Sequence, residues 1–223
     1  MSEAPQMRFP EPQPEPAISI YTIHIDQLRN MDFSWLQKAM PSRWQKAQRF
    51  IREEDRLLCL GAGELLRSVA GIESEEDLIL SDTGKPLAPG KIDFSLSHSA
   101  HRCAIAVNHG AIGLDIEKMA EPFPAEAEIA FTDDEKAFAK NGSLQDAYRL
   151  WTMKESMLKA TGQGFLLEPA SFSVLPAISG NAVSVCGSTW HVKSGEFDGY
   201  ALSICRNKPV AQLCIHEWKP AAP

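Results

Sequence analysis

The pattern of apolar and polar positions divides the chain into stretches of distinct period. Trp151, Met153, Met157 and Leu158 recur at helical spacing, and Gly162 and Gly164 follow as stop signals, which predicts a buried helix ending near Thr161. Glu155 lies four residues after Trp151 and three before Leu158, so it shares their inward face. Ala111, Ile112, Leu114 and Ile116 instead make a short β-like run, in which Asp115 and Glu117 stand at i and i+2 on one face. Residues 18–25 alternate as a strand. Residues 33–69 turn helical, with a break at Met40 and Pro41 and Ser42 as the expected N-cap. Residues 92–98 and 103–108 read as strands, 131–135 as an N-cap and first helical turn, and 146–150 as the start of the helix that carries Glu155. Beyond Gly164, short strands are expected over 165–175, 182–185, 189–192, 200–204 and 212–215. Strand-rich and helix-rich material thus lies on both sides of residues 105–112, an α+β layout without a detectable internal repeat.

Composition narrows the class. With 223 residues and 44% hydrophobic content the chain can bury a substantial core, as one domain or two small ones. A net charge of −7 and the absence of long Lys/Arg runs argue against nucleic-acid binding. Cys59, Cys103, Cys186, Cys205 and Cys214 form an odd set without a C-x-x-C pair, which points to reduced thiols and a cytoplasmic setting. No apolar run approaches the ~18 residues of a membrane span, so no membrane association is expected. The proline-rich stretch 1–17 is expected to be a disordered tail, and the last few residues to fray.

The candidate chemistry is carried by charged residues in apolar settings. A carboxylate on the inward face of a helix needs a partner: either Lys159 at i+4, an ordinary Glu–Lys pair, or a cation from outside the chain. Asp115 and Glu117 are either a solvated strand end or, taken with Glu155, a set of three hard oxygen ligands suited to Mg²⁺ or Mn²⁺. No His or Cys is spaced with them, which argues against zinc. Arg43, Lys46, Arg49 and Arg52 repeat at three-residue intervals, as a solvated helix face or an anion site. Lys85, Ser97 and His98 offer an ammonium, a hydroxyl and an imidazole, a good set for a phosphate group.

Four motifs in order then resemble one family. Gly84-Lys85-Pro86, Phe94-Ser95-Leu96-Ser97-His98-Ser99, Gly113-Leu114-Asp115-Ile116-Glu117 and Trp151-Thr152-Met153-Lys154-Glu155 resemble the signature of the 4′-phosphopantetheinyl transferases, specifically the long, surfactin-synthetase-activating type. The resemblance implies two similar α+β halves, 18–110 and 111–223, related by a pseudo-twofold with the cofactor in the cleft between them, and a monomer. It implies transfer of phosphopantetheine from coenzyme A to a serine of an apo acyl or peptidyl carrier protein. Asp115, Glu117 and Glu155 would hold Mg²⁺. Arg43, Lys46, Lys85, Pro86, Ser97, His98 and Lys159 would contact coenzyme A, and Glu135 or Glu155 would be the base, with Lys159 on the phosphates. Where family members carry Arg and a hydroxyl residue, this chain has Leu58 and Cys59, with Arg56 nearby. A coenzyme A phosphohydrolase using the same three acids and a non-catalytic binding module are the alternatives.

Overall fold

The computed structural model describes residues 17–219, so the expectations for the proline-rich tail and the extreme C-terminus lie, apart from residues 17 and 219, outside the described residues. In chain order the elements are β1 (Ile18–His24), α1 (Ile25–Leu28), α2 (Ser34–Ala39), α3 (Pro41–Gln48), α4 (Glu53–Ala70), β2 (Ile79–Leu80), β3 (Pro86–Leu87), β4 (Asp93–Ser99), β5 (Arg102–Asn108) and β6 (Ile112–Lys118). There follow α5 (Ala125–Glu128), α6 (Asp133–Asn141), α7 (Leu144–Thr161), α8 (Leu175–Ile178), β7 (Val183–Val185), β8 (Ser188–Phe197), β9 (Tyr200–Arg206) and β10 (Leu213–Glu217). The chain adopts the expected α+β class.

Two four-stranded sheets organise these elements, β10-β1-β5-β4 and β6-β9-β8-β7. The second is antiparallel throughout; in the first, β10 runs parallel to β1. Side-chain alternation gives each sheet two apolar faces. Ile23, Phe94, Cys103 and Ile105 pack under α4 with Leu65 and Leu66, whereas Ile20, Ala104 and Ala106 meet Ile112, Leu114, Ile116, Leu202 and Ile204 in a core between the sheets. On the far side of the second sheet, Cys205 and Val192 pack with Leu150, Met153 and Met157 of α7.

The two 18-residue helices are bounded by local chemistry. Ser143 caps α7 through a reciprocal box with Asp146, and Gly162 ends it in the left-handed region at φ 68°, where a side chain would be strained. Gly71 ends α4 in the same way, and Glu53, Glu54 and Asp55 complement its N-terminal dipole. The structure differs from the sequence reading at three places. Ser42 is not the cap of α3: Met40 holds that position and Pro41 opens the helix, while the Ser42 amide donates to Glu75. Residues 165–175 are not a strand but two 3₁₀ turns and the start of α8, because Pro169 and Pro176 remove amides a ladder needs. The last strand of the 111–223 span leaves the second sheet and completes the first.

A buried ion pair ties the region after α7 to the helices. Lys154 and Glu135 are both fully buried, with Nζ to Oε2 at 2.8 Å. Lys154 also donates to the carbonyls of Pro169 and Phe172 at 2.7 and 2.6 Å, and Glu135 accepts from the amides of Thr132 and Val174 at 2.8 and 2.7 Å. With every donor and acceptor occupied, removing one partner strands the other. Lys154→Met should therefore lower stability by about 3–5 kcal/mol, a fall of roughly 6–20 °C in Tm. A thermal melt within a degree or two of wild type would contradict this, and Lys154→Met with Glu135→Leu should recover part of the loss.

Candidate active site

Strands β4 and β6 are each the edge of their own sheet, and a ladder of serines joins them. Ser95, Ser97 and Ser99 occupy alternate positions of β4, so their hydroxyls share one face. They accept hydrogen bonds from the amides of Leu114, Ile116 and Lys118 at 2.9, 3.3 and 3.1 Å. Two of them also donate onward: Ser97 to Asp115 Oδ1 at 2.8 Å and Ser99 to Glu117 Oε2 at 2.6 Å. The backbone joint and the orientation of the acids are thus set by the same hydroxyls.

On the other side of β6, Gly113 lets α7 approach closely. A Cβ built there would lie 1.9 Å from the Ser156 carbonyl oxygen and 2.4 Å from the Ala160 amide nitrogen. This contact brings Glu155 and Lys159 over the strand that bears Asp115 and Glu117. Lys159 Nζ lies 2.7 Å from Asp115 Oδ1 and 3.0 Å from Ser97 Oγ, so the partner of Lys159 is Asp115 rather than Glu155.

The three acids share one electrostatic environment. Burial, opposed by Lys159, holds Asp115 above the usual carboxylate range. Burial and then the charge of Asp115 do the same to Glu117. Glu155 is pushed up to about 7 by burial, then by Asp115 against the pull of Lys159, and by Glu117. Asp115 is 3% exposed, and its Oδ2 is buried without a partner among the described residues. The acids do not form a ready-closed cage, since no group of three His, Cys, Asp or Glu side chains among the described residues is arranged to grip an ion. An orphaned buried carboxylate oxygen on Asp115, whose charge raises the proton affinity of both Glu117 and Glu155, nonetheless fits a hard divalent cation.

The folded value of Glu155 lies above its ordinary 4.5, so between about pH 4.5 and 7 the folded state keeps a proton that the unfolded chain has released. Its contribution to stability is present at low pH and lost as pH rises through 7. Metal-free protein should melt progressively lower across this window, and Glu155→Gln should show a flatter profile. Identical pH profiles for the two proteins would rule this account out.

Glu155 and Lys159 line a cavity of about 390 Å³ with Lys85, Pro86, Phe94 and Leu158, between β3–β4 and the C-terminal end of α7. Lys85 has two of its donors committed, to the carbonyls of Lys159 and Ile112 at 2.6 and 3.1 Å, and burial lowers its proton affinity. His98 is exposed at the end of β4. Surrounding protein, then the charges of Lys159 and Lys46, hold its imidazole below the ordinary value. Arg43 is half-buried, its guanidinium 3.4 Å from the Cys59 carbonyl and its stem against Gly63.

Two expected roles change with this geometry. Glu135, expected as a base or water-holding residue near the metal, is fully buried and bound on both oxygens by Lys154 and backbone amides, so it has no oxygen left for a substrate. Ser97, expected on a phosphate, is 7% exposed and spends its hydroxyl on Asp115, Ile116 and Lys159. Leu58 and Cys59 are buried, at 4% and 7% exposed, under the first sheet's core. The serine ladder and buried Lys154 were missed as functional structure. The Ser-x-Ser-x-Ser period in β4 was the available signal.

Residues 111–205, which carry β6 and α7, match the family described as the ACPS 4′-phosphopantetheinyl transferase superfamily. The chain is 31% identical over 211 residues to the 4′-phosphopantetheinyl transferase Sfp of Bacillus subtilis strain 168, covering 86% of this chain and 93% of that protein. The chain belongs to the 4′-phosphopantetheinyl transferase superfamily. A similar match, 31% over 210 residues with the same coverage, is found to the 4′-phosphopantetheinyl transferase ffp of Bacillus subtilis. The transferase is also 30% identical over 150 residues to gsp of Aneurinibacillus migulanus, 63% of each chain. It is thus a transferase of the Sfp type, and its Asp115, Glu117 and Glu155 lie inside the matched region. No helix among the described residues is long and apolar enough to cross a membrane.

Proposed function

We propose that this transferase moves the 4′-phosphopantetheine group of coenzyme A onto a serine hydroxyl of an apo acyl or peptidyl carrier protein and releases 3′,5′-ADP. The observation that carries this reading is Glu155 and Lys159 in the wall of a cavity bordered by Lys85 and Pro86, with Asp115 ion-paired to Lys159 and Asp115 and Glu117 within electrostatic reach of Glu155. The serine belongs to the partner, and the chain supplies the surroundings of the reaction. Asp115, Glu117 and Glu155 would hold Mg²⁺, with Mn²⁺ as an alternative, and the bound ion would neutralise pyrophosphate charge.

Glu155 is the base, directly or through one water. It lines the cavity and accepts no hydrogen bond from the described residues, which leaves an oxygen available for the serine proton. As the serine oxygen bonds to the pantetheine-side phosphorus, the bond from that phosphorus to the bridging oxygen of 3′,5′-ADP breaks and the nucleotide keeps the electron pair. Lys159, held by Asp115 and Ser97, presents its ammonium to the phosphates. Lys46 and His98, a cation and an imidazole, suit the nucleotide's phosphate, with Arg43 also on α3 and Pro86 against the adenine. The chain acts as a monomer in the cytoplasm, and its net charge of −7 argues against nucleic acid as a partner.

Intact-mass spectrometry of apo carrier proteins incubated with the transferase, coenzyme A and Mg²⁺ tests this. The expected result is one phosphopantetheine gained per carrier, lost with EDTA. Release of 3′,5′-ADP without a carrier would favour hydrolysis, for which Glu155 could equally activate water.

A further inference from the structure

A second cavity, of about 460 Å³, opens along β8 and includes Arg149, Asn181, His191, Lys193, Ser194 and Val210 in its wall. It exists because β7 pairs with β8 only across Ser188–Trp190, so that from His191 onward this side of β8 has no strand beside it among the described residues. In a chain of net charge −7, no Asp or Glu lines this cavity.

The polar groups of the wall are donors. Arg149, on α7, gives its Nε–H to Ser194 Oγ at 2.8 Å, which leaves its remaining guanidinium N–H groups and the serine O–H free to donate. Arg149, His191 and Lys193 form no ion pair among the described residues. Asp146, three residues before Arg149 on α7, has its carboxylate occupied by the Ser143 amide and hydroxyl. Directly across the ladder from His191 stands Arg206, 4% exposed, with Nε and Nη1 buried and unpartnered among the described residues. A guanidinium does not shed its proton, so this buried charge persists and calls for a counter-charge nearby.

We propose that this cavity is a binding site for a phosphate-bearing small molecule, separate from the transfer site. Its size falls in the range of small-molecule pockets. Alternation along β8 sets Ser194, with Arg149, on the α7 side of the strand and His191 and Lys193 on the other, so these donors reach the cavity from both faces of an open edge and, with no carboxylate in the wall, complement a doubly charged, multi-oxygen anion. Arg206 adds an unneutralised charge behind His191.

The test is a titration of the full chain, followed through the ring resonances of His191, assigned by their loss in His191→Ala. The probes are inorganic phosphate, glycerol 3-phosphate and citrate. Both phosphate probes should move the His191 signals, and Lys193→Ala, at an exposed position that leaves the fold intact, should weaken binding about tenfold. The shifts should persist in His98→Ala, which separates this site from the transfer site. Equal affinities would mean the site reads phosphate itself; tighter glycerol 3-phosphate would mean it reads a phosphomonoester; both support the proposal. Unmoved His191 signals, unchanged affinity in Lys193→Ala, abolition by His98→Ala, or citrate binding tighter than both phosphates would each overturn it.

Discussion

Gly113→Ala is expected to cost the transferase at least a hundredfold in rate and several degrees in melting temperature. The added methyl would overlap the Ser156 carbonyl at 1.9 Å and the Ala160 amide at 2.4 Å, both backbone atoms that no rotamer change can move. Restoring contact distance requires β6 and α7 to separate by roughly 1.5 Å. That separation carries Asp115, two residues along β6, away from Glu155 and Lys159. Misplacement by about 1 Å costs on the order of 10²-fold in rate, and overpacking of this kind about 1–3 kcal/mol in stability. Carrier-loading kinetics and a circular dichroism melt check both. Wild-type values for rate and Tm together would show that the close approach of strand and helix is not needed.

Glu155→Gln separates chemistry from fold in the opposite way. Glu155 accepts no hydrogen bond from the described residues and is held at high proton affinity by burial and by its acidic neighbours. Removing its charge therefore leaves nothing unpaired and relieves repulsion of Asp115 and Glu117. At pH 7.5 the variant should melt at or above the wild-type temperature while the transfer rate falls by on the order of 10²–10³-fold or more. The paired readout matters: a slow variant that also melts early would mean a structural role. Retained transfer would remove Glu155 from the reaction.

The acids were legible because each declared itself locally. Asp115 and Glu117 sit two apart on an apolar strand, and Glu155 lies on the apolar face of a helix, so short-range periodicity set their directions. The misreadings concern residues whose role is fixed by distant partners. Glu135 was correctly placed in the first turn of α6, but its burial depends on Lys154, 19 residues on, and on the Val174 amide. Ser97 looked like a ligand because a hydroxyl is a plausible phosphate donor; its engagement with the amide of Ile116 appears only once two sheets meet at their edges. The parallel pairing of β10 with β1 joins residues almost two hundred apart, and no local pattern encodes it.

That pairing has a consequence for how the protein is made. β1 is made well before its neighbour β10, which follows every other strand among the described residues. Trp218, just beyond, donates its amide to Thr22 and its indole to Ser68, so the first core is also sealed from beyond β10. Throughout synthesis one flank of β1 therefore carries open backbone groups, able to pair with other nascent chains. The N-terminal sheet reaches its full width only after the second sheet has been translated, so emergence of β10, rather than of β1 to β5, is the step that closes it.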